Sequence, residues 1–409
     1  MTALSLSPLP LPAADDVSSP VVDEPVALLQ LDLTDPAEAA SAVYRQVRRG
    51  RRVVAVACGR AEVPARLARA LDAIGVTAAL PAAGQGLLGA GVAIVAGPET
   101  APPRPRSAPA RPLRVALAGC GIVGGGVAAR LLDDPGFELI AVLVRDPGKA
   151  RDVPLPPGLL LSDPAALLAR EPDVVVEAIS DASTGLALIR AALSRGVDVV
   201  SANKQAVGGD LAALTALAAG LGARLLYSAS VGGGAPVIET VRRARAHGPI
   251  VAIEAVLNGT CNFILNRLAE GQAFETALEA ARVAGFAEED STADLTGLDA
   301  AAKLAILAHE AADWRLPVEP VERQTLHTRQ VLPAGRVRQI ARLDFERRRA
   351  GIAFEACDGD ALFADLDDEW NALRITTADG RTFTARGRGA GRTPTTESVW
   401  ADLADLAGP

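Results

Sequence analysis

Leu113-Arg-Val-Ala-Leu-Ala118-Gly119-Cys-Gly121-Ile-Val-Gly124 is the stretch from which the fold can be read. Leu113 to Ala118 has the apolar run of a buried strand, and the residues from about 123 to 132 continue as a helix. Between them the spacing G-x-G-x-x-G falls in the context that gives it meaning. Gly119 permits the tight turn, Gly121 lets backbone approach a pyrophosphate, and Gly124 allows the helix to pack close to the strand. The turn also carries Ile122 and Val123, at a helix N-terminus whose partial positive charge suits phosphate. A glycine-rich turn with no ligand is the alternative, and the strand-then-helix setting counts against it.

Working outward, the next strand is Leu139-Ile-Ala-Val-Leu-Val144. A site selective for NAD usually ends this strand on an acid that bonds the ribose hydroxyls. Here it ends Arg145-Asp146, with Lys149 and Arg151 close by. That order favours the 2′-phosphate of NADP, while Asp146 leaves NAD open; solvated loop charges are the competing account. Asp173-Val-Val-Val-Glu-Ala-Ile179 and Val197-Asp-Val-Val-Ser201 add two more βα units. The second delivers Asn203 and Lys204 at a strand's carboxyl end, where open parallel sheets bind ligands. Ser183 and Thr184 lie past the preceding strand, in reach of a nicotinamide amide. Leu225-Leu-Tyr-Ser-Ala-Ser-Val-Gly-Gly-Gly234 closes the region with a glycine run suited to a close backbone approach or a hinge.

The chain divides around this core. Residues 1–25 are rich in Pro, Ser and Ala and read as disordered. Residues 26–97 alternate strand and helix as a small α/β unit, and 98–112 form a proline-rich linker. A dinucleotide-binding domain spans 113–247, and 386–409 carry a further helix. Residues 248–385 change pattern, with helices followed by turn-punctuated strands, and read as a separate α+β region. The fold class is therefore α/β: a Rossmann-type doubly wound parallel sheet, a second α+β domain and an extra N-terminal unit.

The chemistry concentrates at Gly285-Phe-Ala-Glu-Glu-Asp-Ser-Thr-Ala-Asp-Leu-Thr-Gly-Leu-Asp-Ala-Ala-Ala-Lys303. An acidic loop runs into a helix for which Thr296 is a candidate N-cap, with Asp299 three residues on. Asp299 and Lys303 stand at i and i+4, ahead of Leu304-Ala-Ile-Leu-Ala-His309, which is too apolar for a solvated surface. A surface ion pair is the plain alternative. Composition argues against it. Of 41 Lys plus Arg only three are lysines, Lys149, Lys204 and Lys303. Lysine can cycle a proton once burial lowers its pKa, whereas arginine stays protonated. Lys204 and Lys303 are thus the prime catalytic candidates.

The 409 residues carry a net charge of −8, which argues against a nucleic-acid partner. Four cysteines and three histidines show no zinc spacing, and the cysteines fit a reducing cytosol. There is neither a signal peptide nor an apolar run of the ~20 residues that would span a membrane.

Together these segments resemble the homoserine dehydrogenase family. The resemblance rests on Gly119 to Gly124, Ala202-Asn-Lys204, Ser230-Val-Gly-Gly-Gly-Ala-Pro236, Asn258-Gly-Thr-Cys-Asn262, Gly285 to Lys303 and Gly387-Arg-Gly-Ala-Gly-Arg-Thr-Pro-Thr395. It implies NAD(P)-dependent interconversion of L-homoserine and L-aspartate 4-semialdehyde, by a cytoplasmic homodimer with neither nucleic-acid nor membrane partner, in which 248–385 form the substrate-binding and dimerisation domain and 386–409 return to the dinucleotide-binding domain. It implies Lys303 or Lys204 as acid/base and Glu288, Asp294 and Asp299 as homoserine-binding acids. Gly259, Thr260 and Phe286 fall at the substrate, and Gly285 and Gly391 at the cofactor. It also implies a structural monovalent cation on the backbone of Val231, Gly233 and Ala235. Ser228 stands where an acidic cation ligand is common, and Phe286 where a tyrosine is common. Residues 26–97 faintly resemble part of an aspartokinase but lack its Lys-Phe-Gly-Gly opening, so no kinase activity is expected. The linker suggests that residues 1–110 are dispensable. A catalytically silent NADP-binding paralogue, or an oxidoreductase for another amino acid, is the competing reading.

Overall fold

The computed structural model describes residues 26–32, 35–58, 63–80, 92–97, 111–287 and 289–407. The expected disordered start, most of the proline-rich segment and Glu288 lie outside them.

Six parallel strands form the sheet that the glycine turn serves. Their spatial order is Leu160–Leu161, Phe137–Leu143, Leu113–Ala118, Val174–Glu177, Asp198–Ser201 and Leu225–Leu226. Val174–Glu177 is buried at every position, as a strand covered on both faces must be. Alternation along Leu113–Ala118 feeds two cores. Val115 and Leu117 pack with helix Ile122–Asp133 and the last helix, Arg392–Ala407. Ala116 and Ala118 join a larger core with Ile189 and Leu193 of helix Ala182–Leu193. The last helix buries Trp400, 4.9 Å from the Phe137 ring and capped by the Arg130 guanidinium.

The second sheet runs Glu322–Arg323, Arg349–Ala356, Val337–Asp344, Ile250–Val256, Trp370–Thr377, Thr382–Arg388. All its pairings are antiparallel except the first. Helix Leu298–Ala312 joins the domains: Leu304, Ile306 and Leu307 share one core with Val199 of the first sheet and Ile253 and Leu373 of the second.

Thr296 does not cap that helix. It ends the short helix Thr292–Leu295, and its hydroxyl donates to the Thr292 carbonyl at 2.7 Å. Gly297, with φ at +74°, makes the left-handed turn that starts the long helix. The glycine run at 232–234 is a close approach rather than a hinge. A Cβ on Gly233 would lie 2.5 Å from the Gly389 carbonyl oxygen, and Gly234 N–H donates to the Arg388 carbonyl.

The N-terminal unit has parallel strands Val26–Asp32, Arg52–Cys58 and Val92–Gly97 with helices Pro36–Arg48 and Val63–Ala73. Beyond these strands, Ala79 adds only an isolated parallel bridge to Ala93. The unit is seated on the catalytic body. Its core includes Ala401 of the last helix, and Arg388 donates to the Asp72 carbonyl at 2.9 Å. Such packing runs against the expectation that residues 1–110 can be removed without effect.

Candidate active site

The site is built where the two sheets meet. Strand Asp198–Ser201 ends in Asn203, which caps the short helix Lys204–Gly208 by accepting from the backbone of Gln205 and Ala206. The Asn203 amide also donates to the Ile179 carbonyl at 2.9 Å, tying it to the neighbouring strand end. Beneath lies Glu177, fully buried, accepting from the Ser201 hydroxyl at 2.6 Å and from Ile179 N–H. Burial pushes its carboxyl above the ordinary range, against those hydrogen bonds. Glu177 and Ser201 were not among the expected site residues; an acid inside an apolar strand was the available signal.

From this platform the Lys204 ammonium reaches Asp299 Oδ1 at 2.6 Å. Lys303, one helical turn beyond Asp299, donates to Asp299 Oδ2 at 2.8 Å and to the Leu257 carbonyl at 2.6 Å. Asp299 is only 6% exposed, so the surface-pair reading fails. Burial would raise its carboxyl, but Lys303 and Lys204 outweigh that and hold it well below the usual range. Asn258, 2% exposed, donates to both Asp299 and Asp294, at 2.8 and 2.7 Å, and caps helix Gly259–Ala269 through its oxygen. Its scarce residue type was the overlooked signal. Burial, then the Asp299 charge, pushes the Asp294 carboxyl up.

Around this centre, the Thr260 hydroxyl donates to the Phe286 carbonyl at 2.6 Å, and the Phe286 ring packs 5.1 Å from Phe263. Gly259 abuts Glu369, while Gly285 (φ +78°) has open space at its Cβ position. Gly391, with φ at +111°, precedes the last helix.

The glycine turn lies on the same edge. A Cβ on Gly119 would overlap Ala178, and one on Gly124 would overlap the Gly119 carbonyl, whereas a Cβ on Gly121 would meet nothing within 4 Å. Crowding at the outer glycines and open space at the middle one fit a cradle for pyrophosphate. Ile122 is exposed beside it and Val123 half-buried. Arg145, Asp146 and Lys149 are all exposed. The Asp146 carboxylate accepts from Gly148 N–H at 2.8 Å, within its own loop. Ser183 donates to Asp181 at 2.8 Å beside the cap of helix Ala182–Leu193, which leaves its oxygen able to accept.

Val231, Gly233 and Ala235 lie on the turn after Ser228. The Ala235 carbonyl accepts from Val237 N–H at 2.8 Å, and Ser228 Oγ lies 2.8 Å from Asp402 and 3.1 Å from Arg48. No group of three or more His, Cys, Asp or Glu among the described residues could hold a metal.

A dinucleotide cradle and a pair of lysines on one buried carboxylate, at the meeting of two domains, define a nicotinamide-dependent oxidoreductase. Comparison with known proteins makes this particular. Residues 119–228 match the family model "Homoserine dehydrogenase, NAD binding domain", and 236–404 match "Homoserine dehydrogenase". The homoserine dehydrogenase of Synechocystis is 32% identical over 322 residues, 72% of this chain and 73% of that protein. That of Corynebacterium glutamicum is 31% identical over 329 residues, 74% of each. The crystal structure of a homoserine dehydrogenase from Thiobacillus denitrificans superposes with a TM-score of 0.65 at 30% identity, covering 72% of this chain and 73% of the other. A hyperthermophilic archaeal homoserine dehydrogenase in complex with NADPH gives 0.62 at 25% identity, covering 73% and 98%. The chain belongs to the homoserine dehydrogenase family.

Proposed function

We propose that the carboxylate bracketed by Lys204 and Lys303 organises the proton transfer of the homoserine dehydrogenase reaction, between L-homoserine and L-aspartate 4-semialdehyde. The observation that carries this is the convergence of both ammoniums on Asp299, at 2.6 and 2.8 Å. The nicotinamide, when bound, supplies or takes the hydride. In the reducing direction the carbonyl oxygen then needs a proton, which a positioned ammonium gives and, in reverse, its neutral amine takes back. Two of the three Lys303 donors are engaged by Leu257 and Asp299, which leaves at most one N–H for a substrate oxygen.

Both Asp299 oxygens are held by protein donors, so Asp299 serves as the positioning carboxylate. Asp294 and Glu288 are then the acids for the substrate's ammonium. The half-buried Asp294 carries negative charge that partial desolvation and Asp299 both oppose, and an arriving cation relieves that opposition. Thr260 fixes the Phe286 backbone at the substrate's edge. NADP is the preferred cofactor: Asp146 is turned into its own loop, leaving Arg145 to meet a 2′-phosphate, with Lys149 nearby.

A homodimer accords with family membership. A cytoplasmic setting fits the free thiols of Cys120, Cys261 and Cys357, and no described helix is long and apolar enough to cross a membrane.

The test is direct. Purified protein incubated with L-homoserine and NADP⁺ or NAD⁺ should generate reduced cofactor, read by its absorbance. Nucleotide binding without turnover would reject this reading in favour of a silent paralogue.

A further inference from the structure

The N-terminal unit lies outside both family-model matches, yet it reaches some of the most buried charges of the catalytic body. Arg48, at the end of helix Pro36–Arg48, is 3% exposed. Its guanidinium lies 2.5 Å from Asp402 of the last helix and 2.7 Å from Glu239 in helix Val237–His247. It also donates to Ser228 Oγ at 3.1 Å and to the Ser398 carbonyl at 3.4 Å. One helical turn earlier, the buried Tyr44 hydroxyl donates to the Gly234 carbonyl at 2.9 Å. The contacts at Ser228 and Gly234 bracket the glycine-rich turn, and that turn abuts Gly389 and Pro394 at the approach to the last helix. One arginine therefore ties the turn, the helix after it and the last helix together.

These residues do not fit a free monovalent cation. Ser228 brings no charge. Asp402 and Glu239, the carboxylates beside it, already face a guanidinium. Two nearby carbonyls are also engaged, Gly234 by Tyr44 and Ala235 by Val237. Without Arg48, the Asp402 and Glu239 carboxylates that share its guanidinium would lose that compensation, which a protein interior strongly disfavours.

We propose that Arg48 is a positioning residue of the dehydrogenase: a tethered guanidinium that does the work of a bound cation, holding the Ser228–Pro236 turn against the last helix. The N-terminal unit is then a working part of the enzyme. The effect reaches the reaction because the held segment leads through Gly391, at the expected cofactor contact. The proposal rests on the homoserine dehydrogenase reading and is tested in the full-length protein.

The wild-type rate with homoserine and NADP⁺ should be the same in sodium, potassium or choline chloride at equal ionic strength. A requirement for sodium or potassium overturns the proposal. Arg48→Ala should lower kcat by on the order of tenfold to a hundredfold, the scale of a small misplacement. Millimolar guanidinium should restore much of the loss, and Arg48→Lys should retain more activity than Arg48→Ala. A folded Arg48→Ala with normal kcat, or a loss that guanidinium leaves untouched, overturns it. If Arg48→Ala does not fold, Tyr44→Phe is read instead: a lowered kcat at an unchanged melting temperature supports the proposal, and a normal kcat overturns it. NADPH affinity, followed by fluorescence, reads the same displacement without homoserine, so a wild type that binds nucleotide but lacks turnover fails the activity reading separately.

Discussion

Lys303 and Lys204 divide one carboxylate between them, and this geometry makes their replacement informative. If either moves the proton, arginine cannot stand in, because it stays protonated. Lys303→Arg and Lys204→Arg should each lower kcat by ~10²–10⁴-fold, the usual scale of lost acid–base catalysis. Near-normal turnover in a folded Lys303→Arg would remove that lysine from the chemistry. Asp299 gives a separate signature in acid. Its folded pKa is lowered, so its ion pairs stabilise the protein above the unfolded value of ~3.9 and are lost as pH falls below it. Melts of Asp299→Asn should therefore show a shallower loss of stability in that acidic range than the wild type; an equal slope would deny Asp299 the role. At the cofactor, Arg145→Ala should weaken NADP binding far more than NAD binding in parallel titrations, and equal losses would reject the 2′-phosphate assignment. Scarcity made much of this legible. Three lysines amid many arginines pointed to Lys204 and Lys303, and the same logic applied to the five asparagines would have found Asn258. Four of those five are buried: Asn203, Asn258, Asn262 and Asn371.

Among the elements, the glycine turn separates packing from binding. Gly124→Ala places a methyl group on the Gly119 carbonyl, so it should destabilise the fold by about 1–3 kcal/mol, the range for overpacking. Gly121→Ala meets no protein atom and should leave the melting temperature near that of the wild type. Its methyl would instead occupy the pyrophosphate's space, raising the KM for NADP⁺ about tenfold or more. If both variants lower stability alike, the cradle assignment is wrong. Strands and glycine spacing were readable because they follow local rules. The start of helix Leu298–Ala312 was not. Thr296 has the chemistry of a cap, but its hydroxyl is spent on Thr292 and a left-handed glycine sets the boundary. Ser183 donates its hydroxyl to Asp181, which leaves the oxygen's lone pairs to accept.

Over the whole molecule, the three sheets depend on one another. A chain beginning at Arg111 would leave Asp402 and Glu239 without Arg48 and uncover the face of the last helix around Ala401. Removing one partner of a buried ion pair costs about 3–5 kcal/mol, so this truncation should melt at a clearly lower temperature or aggregate. A truncated protein as stable and active as the full chain would show the interface to be incidental. The linker's composition suggested the opposite outcome because proline-rich sequence marks a boundary, while nothing local says whether the flanking parts touch. Arg48 was hidden for a related reason: among so many arginines, one more carries no signal until its neighbours are known.

The Arg48–Asp402 contact spans 354 positions, and that sets an order on how the protein is made. The helix bearing Arg48 leaves the ribosome long before the helix bearing Asp402. During synthesis the early unit can form its own parallel sheet, but its buried arginine must wait for a partner made 354 positions later. Closing so long a loop is slow compared with forming local contacts. Maturation of this enzyme thus depends on joining two helices made far apart in time, and the nascent chain carries an unmatched charge until then.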